Sequence, residues 1–305
     1  MLSENVMVLA KIEGTYGSDP TPTTASNFIA VHNVSVTPNI TFNDTMAQDG
    51  SLSARAGTLG QKYIDVSFDH ELQVNNSSVA TPPCDPLLLS CGYTDTASNG
   101  VYLPRTTGFQ SCTLYVYQED VLWQVHGARG EVTWNLQAGK PAILSFKMTG
   151  LYETPSDTTF PTSWTDNGGS PLVAMGGTFA WNAENPCIEN FSFGLGNTVA
   201  PFPCMADTHG IGSVRITNRL GEGSFDPEMV ASTDIDYFTP LEAGTQTAFT
   251  YTLSNSTVDV DISIPKAQLM NATPGDRAGN FIYQVPFRCT RNSGDDEISI
   301  TFAAT

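Results

Sequence analysis

The chain has 305 residues and a net charge of −18, from 31 acidic and 13 basic side chains; that length suggests about two domains, each able to bury its own core. Such an acidic balance argues against ordinary nucleic-acid binding, which displaces counterions with a basic stripe, but it suits a wall past which nucleic acid slides without sticking. Only 14% of residues are charged, against about 25% in a typical soluble domain, and Ser, Thr, Asn and Gly take their place, as in β-rich extracellular or virion proteins.

Helical periodicity is scarce along the chain. Val6–Glu13 reads as a short strand leading into the turn-rich Gly14–Thr24. Phe28–Phe42 alternates loosely around Pro38, and Met46–Leu59 is polar, small and aperiodic, as an exposed loop is. In Tyr63–Val74, Ile64, Val66, Phe68, Leu72 and Val74 face one side, and Asp65, Ser67, Asp69 and Glu71 the other, which predicts a half-buried strand. His70 interrupts the apolar face and reads as a hydrogen-bonded core or boundary residue. Asn75–Pro83 is a loop, and Asp85–Ser90 a helical turn capped by Asp85 with Pro86 at its first position. Leu114–Tyr117 and Val121–Val125 flank a turn as a hairpin, which Gly127-Ala128-Arg129-Gly130 is expected to break. Glu131–Leu136 and Ile143–Thr149 are further strands. Pro155–Pro171, rich in Pro, Thr, Ser and Gly, reads as a connection between domains. Beyond it, Val258, Val260, Ile262 and Ile264 alternate with Asp259, Asp261 and Ser263, and Glu297–Phe302 is the last strand. The fold expected is all-β, with one short helix per half.

The chain is written twice. Ser67-Phe68-Asp69-His70-Glu71-Leu72 returns as Ser224-Phe225-Asp226-Pro227-Glu228-Met229. Each copy is followed by a helix-like run (Asp85–Gly92, Asp236–Gly244), a hairpin (Leu114–Val125, Phe249–Ile264) and a strand opened by Ala-Gly (Ala138-Gly139, Ala278-Gly279). Self-similarity in a fixed order signals repeated architecture. It divides the chain into a first domain at 1–155, a linker at 156–172 and a pseudo-repeat of the first domain at 173–305. Two like domains in one chain can fill two equivalent places in a symmetric ring, which points to assembly rather than catalysis.

Residues that carry chemistry elsewhere are scattered here. The cysteines at 84, 91, 112, 187, 204 and 289 form no C-x-x-C pair, and Met1–Lys11 lacks the basic n-region of a secretory signal, so free buried thiols are expected rather than zinc or disulfides. Without that signal, the sequons at Asn33, Asn39 and Asn76 carry no glycosylation reading. His32, His70, His126 and His209 form no metal-like cluster, and Asn292–Glu297 lacks the ligand spacing of a calcium loop. Asp69 and Glu71 share a strand face at the sort of spacing glycosidase carboxylates use, but so do acids on countless solvated strands. Neither a nucleophile elbow nor a phosphate-binding loop is present. No apolar run approaches the roughly 20 residues that span a bilayer. No cofactor, metal or membrane contact is expected, and the chain is not read as an enzyme.

Three stretches carry a family resemblance: Leu9-Ala10-Lys11-Ile12-Glu13-Gly14-Thr15-Tyr16-Gly17-Ser18-Asp19-Pro20-Thr21-Pro22; Pro86-Leu87-Leu88-Leu89-Ser90-Cys91-Gly92; and Val125-His126-Gly127-Ala128-Arg129-Gly130 together with Leu144–Tyr152. In joint order they resemble the major tail tube protein of long non-contractile-tailed bacteriophages, strongly in the first half and loosely in the second, with little match between Ser156 and Pro203. The resemblance implies two tandem β-sandwich or barrel domains, with sheets continuing between subunits into rings that stack as a tube. It implies a virion tail protein assembled in the host cytoplasm, without catalysis. Its partners would be further copies of itself, the tail tip and tail terminator proteins, a tape measure protein in the lumen, and DNA in transit. Duplication implies homotrimeric pseudo-sixfold rings, with a hexamer as the alternative.

Within that frame Asp65, Asp69, Glu71, Asp259 and Asp261 are candidates for a negatively charged lumen. Arg129 and Lys140, rare cations, are candidates for ion pairs between subunits. The loop with Met46, Asp49, Arg55 and Leu59, or the Met1–Gly14 segment, is the candidate ring-to-ring contact. The competing expectation is a virion adhesin or carbohydrate-binding β-sandwich module, which an exposed aromatic cluster begun by Trp164 and Trp181 would signal.

Overall fold

The computed structural model describes residues 5–46, 50, 53–74, 80–95, 99–255 and 258–304. Its strands in chain order are β1 (Val6–Ile12), β2 (Phe28–Ile29), β3 (His32–Asn43), β4 (Thr58–Glu71), β5 (Tyr93–Asp95), β6 (Val101–Pro104), β7 (Cys112–Gln118), β8 (Val121–Gln137), β9 (Ile143–Tyr152) and β10 (Ser156–Asp157). They continue with β11 (Thr178–Trp181), β12 (Ile188–Gly194), β13 (Asn197–Pro203), β14 (Ile211–Arg219), β15 (Glu222–Pro227), β16 (Gln246–Ser254), β17 (Val258–Leu269), β18 (Thr273–Arg277), β19 (Asn280–Cys289) and β20 (Ser299–Ala304). The helices are α1 (Asp85–Ser90) and α2 (Phe238–Ala243). The fold is all-β, as the alternation of the sequence predicts.

The strands of the two halves pair in the same order. In the first half it is β3, β4, β9, β8, and in the second β12, β15, β19, β17, all antiparallel. Irregularities coincide too. The β7–β8 hairpin shifts register between Cys112 and Leu114, and the β16–β17 hairpin between Thr247 and Phe249. Asn33 Nδ2 donates to Asp69 at 2.9 Å, and Asn190 Nδ2 donates to Asp226 at 2.8 Å. β18 carries on from β17 along β19, and the pair closes through Ala278-Gly279, as β8 and β9 close around Ala138-Gly139.

β8 joins the halves. Its first part pairs with β7, and its last residues pair with β12, Thr133 opposite Gly194 through Gln137 opposite Asn190. One layer therefore runs β3, β4, β9, β8, β12, β15, β19 and then β17 with β18. The glycines at 127 and 130 predict a break in this strand. Instead the strand passes through with a register shift between His126 and Arg129, because Gly127 takes φ 60° there and its N–H donates to the Glu13 carboxylate at 2.6 Å. Nor is the stretch assigned to the linker bare: β10 pairs with the start of β8, and Phe160 packs edge-on against Tyr117.

Alternation puts one face of this layer into a single core that spans both halves. Trp134 stacks on Phe193 across the β8–β12 junction at 5.7 Å between ring centroids. Full burial of rings like these contributes on the order of 3 kcal/mol each. The second layer of the distal half, β11, β16, β17 and β20, closes over the same core. Phe249 on β16 stacks on Phe287 of β19 at 4.5 Å, and Phe179 on β11 packs against Phe191 of β12 at 5.2 Å. At α1, Asp85 caps nothing; its carboxylate instead accepts a 2.6 Å hydrogen bond from the Tyr102 hydroxyl.

Candidate assembly surfaces

The outward face of the shared layer is a carpet of hydroxyls, amides and pinned carboxylates. Asp65 accepts from Asn39 Nδ2 at 2.7 Å and Thr149 Oγ1 at 2.6 Å. Asp69 accepts from Asn33 Nδ2 and, at 2.6 Å, from Ser145 Oγ. Partial burial works against the Asp69 charge, but these donors and the nearby His32 outweigh it and hold the carboxyl below its ordinary range. Asp226 accepts from the N–H groups of Glu189 and Asn190 and from the Asn190 side chain. Lys147 faces Ser67 and Glu131 across its two ladders, and Arg288 pairs with Glu222 at 2.9 Å. Glu71 ends β4 on the same face.

The layer ends at two free edges. Among the described residues β3 pairs only with β4, and β18 only with β19. Open edges carry unpaired backbone donors and acceptors and invite another strand.

Residues 3–289 match the family described as phage tail tube protein. The chain belongs to that family. It is a structural tail tube protein, a component of the virion tail that assembles with itself. No curated protein matches this tail tube chain.

The five acids proposed for a lumen do not share a face. Asp259 and Asp261 lie on the first part of β17, between β16 and β20, and accept hydrogen bonds from Ser254 Oγ and Thr252 Oγ1. That layer is packed by its apolar side onto the shared layer, so their carboxylates point away from Asp65, Asp69 and Glu71. This corrects the expectation of one common acidic wall: alternation tells which side chains face out, but not from which layer.

Arg129 is also placed differently from expectation. Its guanidinium donates to the carbonyls of Gln110 at 3.0 Å, Phe109 at 2.9 Å and Val214 at 2.7 Å, and sits 4.9 Å from the Tyr16 ring centre. Burial lowers its pKa from the ordinary value, opposed by the nearby Tyr16 and Glu13. It is thus committed inside its own chain. Lys140 stays exposed in the β8–β9 turn.

What Arg129 holds is a hairpin that the sequence reading missed. β13 and β14 form a separate two-stranded ribbon lying on the first half. Val214 is gripped at both backbone groups, its C=O by Arg129 and its N–H donating to the Tyr16 hydroxyl at 2.6 Å. Asn197 donates to the carbonyls of Cys91 and Gly130. Behind this clamp Glu13, only 8% exposed, gathers four donors: Gly17 N, Ser111 Oγ, Thr113 Oγ1 and Gly127 N. The motifs that carried the resemblance, Glu13 to Gly17 and Gly127 to Gly130, are the parts of this clamp.

β3 and β4 make the corresponding hairpin in the first half. Its base meets the turn of the ribbon, where Lys62 N–H donates to the His209 carbonyl at 3.1 Å, but its far end is exposed. Met46, Arg55 and Leu59 are exposed there, with Leu59 inside β4 rather than in the loop; Asp49 lies outside the described residues, as do 1–4 of the amino-terminal candidate segment. The aromatic pair of the adhesin reading is split. Trp164 is exposed against Phe28, whereas Trp181 is buried and stacked on Tyr237 at 4.8 Å. Cys187 is exposed and Cys204 half-buried, unlike the other four thiols, which are buried and free as expected.

Proposed function

We propose that the protein builds its tube as rings of three chains with six quasi-equivalent domains, in which β18 of one copy pairs with β3 of the next. The observation that supports this is the β8–β12 junction. β3 and β12 hold equivalent places in their halves, and β18 is the counterpart of the end of β8. Repeating the internal joint between chains would satisfy both free edges and leave a closed circle. The duplicated halves, with boundaries at 1–155 and 173–305 and a connecting stretch between, supply the two quasi-equivalent positions.

The polar face of the shared layer would then line the lumen. Its acids outnumber the cations Lys147, Arg277 and Arg288, so phosphates meet a like-charged wall, and its hydroxyls and amides are occupied by one another. Both properties suit DNA passing without being held. Asp259 and Asp261 would stand on the outside of the tube. The proposed further partners are a tape measure protein filling the lumen before ejection, and tip and terminator proteins at the ends. Assembly takes place in the host cytoplasm, and no catalytic step is proposed.

Averaged end-on electron micrographs of the concentrated protein test this reading. Hollow rings with threefold symmetry and six-lobed walls are expected. Sixfold rings with one chain per lobe would overturn the internal joint, and dispersed monomers across salt and pH would overturn the ring itself.

A further inference from the structure

We infer that the β3–β4 hairpin is the arm by which one copy grips the second half of a neighbouring copy, as β13–β14 grips the first half within the chain. The inference rests on the ring reading above and names the surfaces that the joint brings together.

The two hairpins match pair for pair. Ile40 faces Lys62 and Phe42 faces Leu59, with a register shift between them; Asn197 faces Arg219 and Val199 faces Ile216, with a shift in the same interval. These positions correspond at the same chain separation that relates Asn33–Asp69 to Asn190–Asp226. Their surroundings differ. Asn197 is 8% exposed, and Val199 and Ile216 are partly covered by the first half, whereas Phe42 and Leu59 are 61% and 62% exposed and Ile40 is exposed as well. A strand pair with three large apolar side chains in water is an unfilled contact.

The receiving surface follows from the same correspondence. In the first half the ribbon meets the end of α1 and the bulged part of β8. Ile216 lies against Gly92, Asn197 bonds the Gly130 carbonyl, and Gly196 N–H donates to Glu131. The counterparts in the second half are Gly244, which ends α2 with φ 63°, Gln268 and Leu269 at the end of β17, and Met270 just beyond it, whose N–H donates to the Pro286 carbonyl. Arg129 corresponds to Gln268, and Glu131 to Met270, which is 42% exposed. The polar groups of the internal contact are thus replaced on both sides: Ile40 stands where Asn197 does, and Met270 where Glu131 does. The exposed apolar side chains of the arm face a seat in which Met270 replaces a charge, and the occupant that fits is a second copy of this chain.

The test places a photoreactive p-benzoylphenylalanine at position 42 in the full chain, mixes isotopically heavy and light protein, and irradiates assembled rings. Mixed-isotope cross-links to the α2–β16 turn or to β17 are expected. Rings whose cross-links fall on the first half of another copy, or that give none between copies, would overturn the inference while leaving the ring reading intact. Absence of rings from the unmodified protein would overturn both. In parallel, Phe42→Asp with Leu59→Asp should abolish rings without lowering the melting temperature of the monomer, since both side chains are exposed in the single chain. Rings that persist would refute the arm.

Discussion

Lowering the pH should weaken the folded chain through His70. The imidazole is fully buried on the core face of β4, with Nδ1 2.8 Å from the Ala30 carbonyl. Burial lowers its pKa from 6.5 to about 4, with the Ala30 hydrogen bond and Asp166 opposing the shift. The folded state therefore refuses a proton that the unfolded chain accepts. Stability from this group is complete above the unfolded pKa and declines as pH falls toward the folded one. Between about pH 7.5 and about pH 5 the difference in protonation comes to about 2 kcal/mol. The assay is urea unfolding at both pH values, under conditions where light scattering reports monomer, for the native chain and for His70→Gln. Glutamine keeps a donor for Ala30 but does not titrate. The other three histidines are the same in both proteins, so whatever they contribute cancels in the comparison. The native chain should lose about 2 kcal/mol more than the variant over this interval. Equal losses would refute the reasoning.

Arg129→Lys should destabilise the monomer by about 2–4 kcal/mol, because an ammonium cannot reproduce a fork that reaches three carbonyls at once. Thermal unfolding reads the loss, and limited proteolysis should cut the Cys204–Gly210 turn first as the ribbon loosens. In phage, Asp259→Lys with Asp261→Lys should leave DNA delivery unchanged. Ser35→Lys with Glu71→Lys, on the polar face of the shared layer, should slow ejection by about tenfold if that face lines the proposed lumen, since every copy would repeat the added charge. Potassium efflux or single-particle ejection kinetics separates the two, and equal effects would sink the assignment of faces.

The sequence made the strands legible wherever alternation was strong. Tyr63–Glu71, the Leu114–Val125 hairpin and Val258–Ile264 fall in strands, the predicted Tyr63–Val74 running three residues past the end of β4, and Asp85–Ser90 is the helix α1. Glycine misled at 127–130, since a pair of glycines reads as a break unless the carboxylate that receives the bulge N–H is known, and Glu13 is far away in sequence. The β13–β14 ribbon was hidden because its prolines at 201 and 203 and its exposed Arg215 and Thr217 blur the period. A signal for it did exist. His32-Asn33-Val34-Ser35-Val36 and Glu189-Asn190-Phe191-Ser192-Phe193 are counterparts, and aligning them would have extended the repeat upstream of Ser67 and exposed the second hairpin. The candidate acids were legible as outward-facing, but their division between layers follows from which strands share an apolar neighbour, which no local pattern records.

The β8–β12 junction has a consequence for how a tail begins. A joint between separate molecules must first overcome lost translational and rotational freedom, estimated at about 4–15 kcal/mol. Here one such joint is tethered within a polypeptide, where the two strands meet at a high effective concentration whatever the dilution. In a ring built on that joint and its copies, alternate contacts are already made when each subunit finishes folding. Nucleation then needs fewer simultaneous encounters than it would for single-domain subunits using the same edges, so rings should start at lower protein concentration.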